Sequence, residues 1–327
     1  MTLRPSITLL ALTLAAASGT VRGTETARPN DMDGDGSSDV IWRNTGTAAL
    51  VYWSAANSQA SHTLALRFPS DWIFDPRQLT PVFAMSDVWD SANKTMLVMT
   101  SQATGELGLY PSSEPDLYFG GGSFPGSTFP PPVGHGDFDG DGTADLFYRD
   151  SDGSNYIVDS AVWADWGATY QAVPTVAISW QVAGIGDFDG DGRSDVLWRN
   201  QASGANVIWR SANYLTQMGV RGVTNPAWKI VAVADFDGDG RDDIFWRNAT
   251  SGANVIWRSG NALAQQAVRS VTNLAWQVAT TGDFDGDGKV DVMWRNRTTG
   301  SNVVWKSANA ATQMALRAVN LAWTVVR

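Results

Sequence analysis

Apolar residues along most of the chain fall into short runs separated by clusters of Gly, Asn, Asp, Ser and Pro. The stretch 180–223 shows the unit: WQVAGIGDF (180–188), DVLWRN (195–200), ANVIWRS (205–211) and TQMGVRGV (216–223), broken by an aspartate-rich loop and by QASG (201–204) and ANY (212–214). Two of these runs are apolar nearly throughout, as in strands buried on both faces. The last alternates and carries Gln217 and Arg221, as in a strand nearer solvent. The pattern predicts a four-stranded all-β unit.

The unit recurs. The sequence D-x-D-x-D-G-x-x-D begins at Asp31, Asp137, Asp187, Asp235 and Asp283, the last three starts 48 residues apart and the step from 137 to 187 being 50. The step from 31 to 137 is 106, room for two periods, and an altered copy, SDVWDSANKTMLVM, lies in its middle at Asp87. That copy has Trp89, Ser91 and Thr95 at loop positions 3, 5 and 9, so its site is expected to be empty. Six repeats of about 48 residues predict a six-bladed β-propeller, since the period is far too long for one coil of a β-helix. The first repeat enters at its Asp loop and the chain ends on LAWTVVR (321–327), the run that precedes the loop elsewhere. The C-terminal strand is therefore expected to complete the first blade and close the ring. Residues 30–327 read as one domain, with a loop insertion around 112–134 in the degenerate second repeat.

The 16 tryptophans follow the same period. One set ends the second strand (Trp42, Trp198, Trp246, Trp294, with Tyr148 substituting), a second ends the third strand (Trp53, Trp209, Trp257, Trp305) and a third opens the first strand (Trp72, Trp180, Trp228, Trp276, Trp323). The first two sets are expected to fill the wedge between blades and the third to be more open to a ligand.

Composition changes the picture in two ways. Residues 1–23, with one Arg, an apolar run from Ile7 to Ala17 and then small residues, have the layout of a secretory signal peptide, too short in its apolar run to span a bilayer. The expected location is extracellular or periplasmic, with no transmembrane segment in the mature chain. There is no cysteine, so an exported chain needs a staple other than disulfides. Second, the net charge of −10 is concentrated: 20 of the 33 acidic residues are the aspartates of the five loops. Such a distribution reads as a metal requirement rather than an acidic surface, and nothing in it suggests nucleic acid.

Carboxylates at positions 1, 3, 5 and 9 converge on one point, and Gly at position 6 permits the reversal. The candidate metal ligands are Asp31, Asp33, Asp35 and Asp39; Asp137, Asp139, Asp141 and Asp145; Asp187, Asp189, Asp191 and Asp195; Asp235, Asp237, Asp239 and Asp243; and Asp283, Asp285, Asp287 and Asp291. The carbonyls of Ser37, Thr143, Arg193, Arg241 and Lys289 at position 7 add one oxygen each. Oxygen donors without His or Cys point to Ca²⁺, about five ions in all. An EF-hand is excluded because position 12 is aromatic where that motif needs Glu.

These loops resemble those of the FG-GAP or VCBS repeat family, whose calcium-loop propellers are similar to the integrin α-subunit head and to a fungal lectin propeller. The resemblance covers about residues 30–327 and implies calcium held by four Asp side chains and one carbonyl per loop. After the loop this chain reads V-x-W-R-N where the family often reads toward Gly-Ala-Pro, so integrin-style ligand binding is not carried over.

No catalytic motif is found; of the two histidines, His62 lies on an outer strand and His135 beside the third Asp loop. The expected function is a monomeric, lectin-like binding module for glycans or cell-surface polymers, with a calcium-dependent polysaccharide-degrading enzyme or an adhesion platform as alternatives. The expected ligand-binding sets are Arg199, Asn206 and Trp228; Arg247, Asn254 and Trp276; and Arg295, Asn302 and Trp323, planar polar groups beside an open indole.

Overall fold

The computed structural model describes residues 30–47, 49–64, 132–159 and 170–326, together with four strands between Leu79 and Gly120 by their backbone. The expected leader 1–23, the altered loop at Asp87 and most of 112–134 lie outside the described residues.

The strands form six four-stranded antiparallel sheets. Five of them carry the Asp loops and pack on one another as blades of a β-propeller; each is named here by the first aspartate of its loop. Blade packing is thus established for five blades, one fewer than the six expected. The sixth sheet, Leu79–Ser86, Thr95–Ser101, Leu107–Pro111 and Phe119–Gly120, has the same strand order and is described by its backbone alone.

In the Asp187 blade the strands are Trp180–Gly186, Asp195–Asn200, Asn206–Trp209 and Gln217–Val220. The Asp loop joins the first two, and the pairs Gly186↔Asp195 and Ile185↔Val196 hold its ends together. A bulge between Val182 and Gly184 bends the first strand where the blades converge. A Cβ on Gly184 would stand 2.3 Å from Val233 Cγ2, and one on Gly186 would stand 2.2 Å from Asp242 Oδ2. Glycine at both positions lets the inner strands of neighbouring blades approach.

The Asp31 blade is assembled from both ends of the described chain. Trp323–Val325 pairs with Val40–Asn44 through Trp42↔Val325, Arg43↔Thr324 and Asn44↔Trp323, so the late strand takes the first place in this sheet, as the repeat pattern leads one to expect.

The tryptophans divide as the period suggests. Trp42, Trp198, Trp246 and Trp294 are at most 1% exposed, and Trp53, Trp209, Trp257 and Trp305 at most 8%. Within each blade the two indoles tilt against one another at 4.9–5.3 Å between centroids. Trp180, Trp228, Trp276 and Trp323 remain half-buried. Beneath each loop, position 2 supplies a buried side chain, Met32, Phe138, Phe188, Phe236 or Phe284, which anchors the loop to this core. Among the described residues no helix is long and apolar enough to cross a membrane.

Candidate metal centre

Each Asp loop folds around its first carboxylate. In the Asp31 loop, Asp31 Oδ1 accepts the N–H of Gly34 at 2.7 Å and Oδ2 that of Gly36 at 3.0 Å. The same pair recurs at Asp137, Asp187 and Asp235 with distances of 2.6–2.9 Å. The glycines at positions 4 and 6 have φ between +73° and +88°, a region that Gly enters without the Cβ penalty. Position 5 closes an Asx turn, its carboxylate accepting the N–H of position 7 at 2.8–2.9 Å in all five loops.

Position 9 ties the loop to the blade. Asp243 Oδ2 accepts the N–H of Phe236 at 3.2 Å, and Oδ1 accepts the N–H of Ser259 at 2.8 Å. Ser259 lies in the one-turn helix after the third strand with φ +46°, as do Ala55, Ser211 and Ser307 at φ 46–47°. One buried carboxylate thus fixes the loop, the start of the second strand and the end of the third. Burial pushes the carboxyls of Asp39, Asp243 and Asp291 up to about 7 and that of Asp195 to about 6, with nearby loop aspartates adding to the rise and the backbone hydrogen bonds opposing it.

Carboxylate oxygens converge within 4.8 Å of one another in every loop. The groups are Asp31, Asp33 and Asp39; Asp137, Asp139 and Asp145; Asp187, Asp189 and Asp195; Asp235, Asp237 and Asp239; and Asp283, Asp285 and Asp291. Of the expected ligands, Asp35, Asp141, Asp191, Asp287 and Asp243 stand outside these tight groups.

These clusters suit a hard divalent cation, and one observation tests the fit. Oδ1 of Asp189 and of Asp237 is buried and accepts no hydrogen bond, while Oδ2 of the same carboxylates is held by Arg210 at 3.1 Å and Arg258 at 3.0 Å. A buried carboxylate oxygen without a partner is costly, and a cation at the centre of an all-oxygen cluster is the partner that removes the cost.

Neighbouring loops are bonded to each other. The backbone N–H of position 8 donates to the carbonyl of position 1 in the preceding blade: Ser194 to Asp137 at 2.6 Å, Asp242 to Asp187 at 2.6 Å, Val290 to Asp235 at 2.9 Å and Ser38 to Asp283 at 2.7 Å. Two side chains reinforce this link. Asp242 Oδ2 accepts the N–H of Asp187 at 2.8 Å, and Ser38 Oγ accepts that of Asp283 at 3.1 Å.

The opposite end of the blade corrects the expected ligand-binding sets. Arg199, Arg247 and Arg295 are 6–8% exposed, and Asn206, Asn254 and Asn302 are 4–7% exposed. Arg247 donates to Gly252 O, Asn254 Oδ1, Val271 O and Trp276 O at 3.0–3.3 Å, and its guanidinium lies 4.9 Å from the Trp294 ring of the next blade. Arg149 over Trp198, Arg199 over Trp246 and Arg295 over Trp42 repeat the contact at 4.9–5.1 Å. Each Asn uses its amide N–H on a carbonyl about 15 residues on, Arg221, Arg269 or Arg317. These groups staple blades together and spend most of their donors on the chain's own carbonyls and amides. Only Trp228, Trp276 and Trp323 of the expected sets offer open surface.

Burial pushes His135 down to about 4, and His62 stacks on Tyr52 at 4.8 Å.

The FG-GAP-like repeat profile matches residues 137–198, 187–246 and 235–294, each match running from one Asp loop to the second strand of the next blade. The molecule is a β-propeller that carries FG-GAP-like repeats, the family its loops resemble. No curated protein matches the chain. Similar solved structures include virginiamycin B lyase from Staphylococcus aureus, at 9% identity and TM-score 0.48 over 91% of this chain and 87% of that one. They also include Kluyveromyces lactis Hsv2, at 10% identity and TM-score 0.44 over 84% and 76%, and a chain of the Mitotic Checkpoint Complex, at 15% identity and TM-score 0.42 over 94% and 90%.

Proposed function

We propose that the protein is an exported, monomeric, calcium-stabilised binding module, a propeller ring in which the Leu79–Gly120 sheet takes the sixth place and up to five Asp loops hold Ca²⁺. The observation that carries the metal reading is the pair of buried, unpartnered oxygens on Asp189 and Asp237 inside carboxylate clusters. When bound, the ion supplies charge neutralisation and fixes the loop; it is structural rather than reactive.

A glycan is the proposed ligand class, and its contact moves from the Arg–Asn sets to the seam. Beside the closing strand lies a pocket of about 520 Å³ lined by Gln277, Arg297, Leu321, Trp323 and Thr324. Trp323 and the half-exposed Leu321 offer a stacking surface, and Arg297, hydrogen-bonded to Gln277 Oε1 at 3.2 Å, offers a planar donor at its edge. A glycan array read with calcium, with a chelator and with Trp323→Ala tests this. The expected result is binding that needs calcium and is weakened by the substitution in a variant whose cooperative melt shows that it still folds; undiminished binding by a folded Trp323→Ala variant would remove the seam site.

A further inference from the structure

The five loops carry equal numbers of ligand carboxylates but receive unequal numbers of cations from the chain itself. Two positions in each repeat decide this. The first opens the one-turn helix after the third strand: Arg210, Arg258 and Lys306 reach Oδ2 of the position 3 aspartates Asp189, Asp237 and Asp285 at 3.1, 3.0 and 2.8 Å. In the Asp31 blade Ser54 holds this place and donates its hydroxyl to Asp35 Oδ2 at 3.4 Å. In the Asp137 blade the strand register brings Asp159 there, since Val158 pairs with Leu146 as Trp209 pairs with Val196.

The second position is loop position 7, whose side chain lies on the loop of the preceding blade. Arg193, Arg241 and Lys289 cover Gly140, Gly190 and Gly238 so closely that a Cβ on those glycines would stand 3.0–3.1 Å from their side-chain atoms. Ser37 occupies this position where the Asp31 loop follows the Asp283 loop, and Asn93 has the matching sequence position one repeat after the Asp31 loop. The Asp187 and Asp235 loops are therefore flanked by two cations, the Asp283 loop by one, and the Asp137 loop by one cation with the acidic Asp159 at the other position. Among the described residues the Asp31 loop has a hydroxyl alone.

We infer that the chain's own cations rank the loops in their need for metal, and that the Asp31 loop, at the seam of the ring, is the metal-dependent clasp. This rests on the metal reading above. Like charges at these separations repel, and every cation the chain supplies offsets part of that repulsion when no ion is bound. Among the described residues the Asp31 loop has least of this help and most to hold. Asp31 and Asp39 are 2% and 1% exposed, Asp39 bonds Met32 N–H at 2.7 Å and Ala55 N–H at 2.9 Å, and Ser38 ties the loop to Asp283 of the blade across the seam. The same blade is closed by the three pairs of the Trp323–Val325 strand. Opening of this loop releases the seam, whereas opening of the Asp235 loop leaves a blade whose strands are contiguous in sequence.

The test is hydrogen exchange on the full chain, stripped with a chelator and then titrated with CaCl₂, read on peptides spanning each loop. The expected order of calcium-induced protection is the Asp31 and Asp137 loops first, the Asp283 loop next, and the Asp187 and Asp235 loops least. Each flanking cation is expected to change the response by up to about fivefold, as for exposed ion pairs. Ser54→Arg should lower the calcium dependence of the Asp31 peptide, and Arg258→Gln with Lys289→Gln should raise that of the Asp235 peptide. Equal responses in all five loops, or charge variants that leave the order unchanged, would overturn the ranking and leave the metal reading standing. A chain that binds no calcium and responds in no peptide would remove both.

Discussion

At one end of the Asp235 blade Arg247 places its guanidinium on four acceptors at 3.0–3.3 Å and against Trp294; at the other end Asp237 buries an oxygen that accepts no hydrogen bond. Both ends carry buried charge, and both repeat around the ring. The Arg end is completed by the chain's own carbonyls and by the π face of the neighbouring blade, so its charge is satisfied without outside help. The Asp end satisfies its backbone N–H groups and leaves its carboxylates crowded, with burial raising the position 9 carboxyls toward neutral pH. On the metal reading proposed above, the Asp end is the one that a cation would complete.

The sharpest way to break this comparison is to remove metal. At a hundredfold excess of calcium over Kd each occupied loop adds roughly 2–3 kcal/mol, so stripping several loops should lower the melting temperature by far more than any single substitution. Calorimetry with and without chelator checks this, and the drop should reverse on adding calcium. The next largest effect is expected at the self-sufficient end. Arg247→Ala removes the common donor of four acceptors, two of them buried and two part-buried, and uncovers an indole, and should cost about 3–5 kcal/mol whether or not calcium is present. Denaturant melts in both conditions separate the two ends: a loss at Arg247 that calcium repairs would contradict the division.

Asp243→Asn comes third. It keeps the shape but replaces one acceptor by an N–H facing a backbone N–H, a change expected to cost about 1–3 kcal/mol and to weaken calcium binding at that loop alone. Arg258→Gln is the smallest. Its ion pair with Asp237 is nearly half exposed on the Arg side, so a loss below about 1 kcal/mol, vanishing at high salt, is expected in equilibrium melts.

Much of the fold was legible because it repeats in register. The D-x-D-x-D-G-x-x-D loops marked the first turn of each of the five blades, one set of indoles marked the second strands, which run two residues past it, the other marked the ends of the third strands, and LAWTVVR announced the closing strand because its pattern stands before a loop in the other repeats. The Arg–Asn sets were misread because alternation along a strand says which face a side chain takes, not whether that face is covered by the next blade. A signal was present: an Arg, then a Gly, then an Asn two residues after the Gly recur in that order as Arg149, Gly153 and Asn155, and as Arg199, Gly204 and Asn206, the first turn being one residue shorter. The order survives in the Asp137 blade, where the second-strand Trp has become Tyr148, as expected of a brace rather than a ligand site. The flanking cations carried the opposite kind of signal. Their positions vary between Ser, Thr, Asp, Arg and Lys from repeat to repeat, and their meaning depends on which loop each side chain covers, a contact made across the blade interface.

The most direct test of the central claim is a calcium-binding isotherm on the chelator-stripped chain, with Asp31→Ala, Asp187→Ala and Asp283→Ala measured beside it. The account predicts several bound ions per chain, one lost with each substitution, and an Arg247→Lys variant that, where folded, keeps them all. Absence of calcium binding by a folded chain, or a stoichiometry unchanged by loss of the position 1 aspartates, would contradict it.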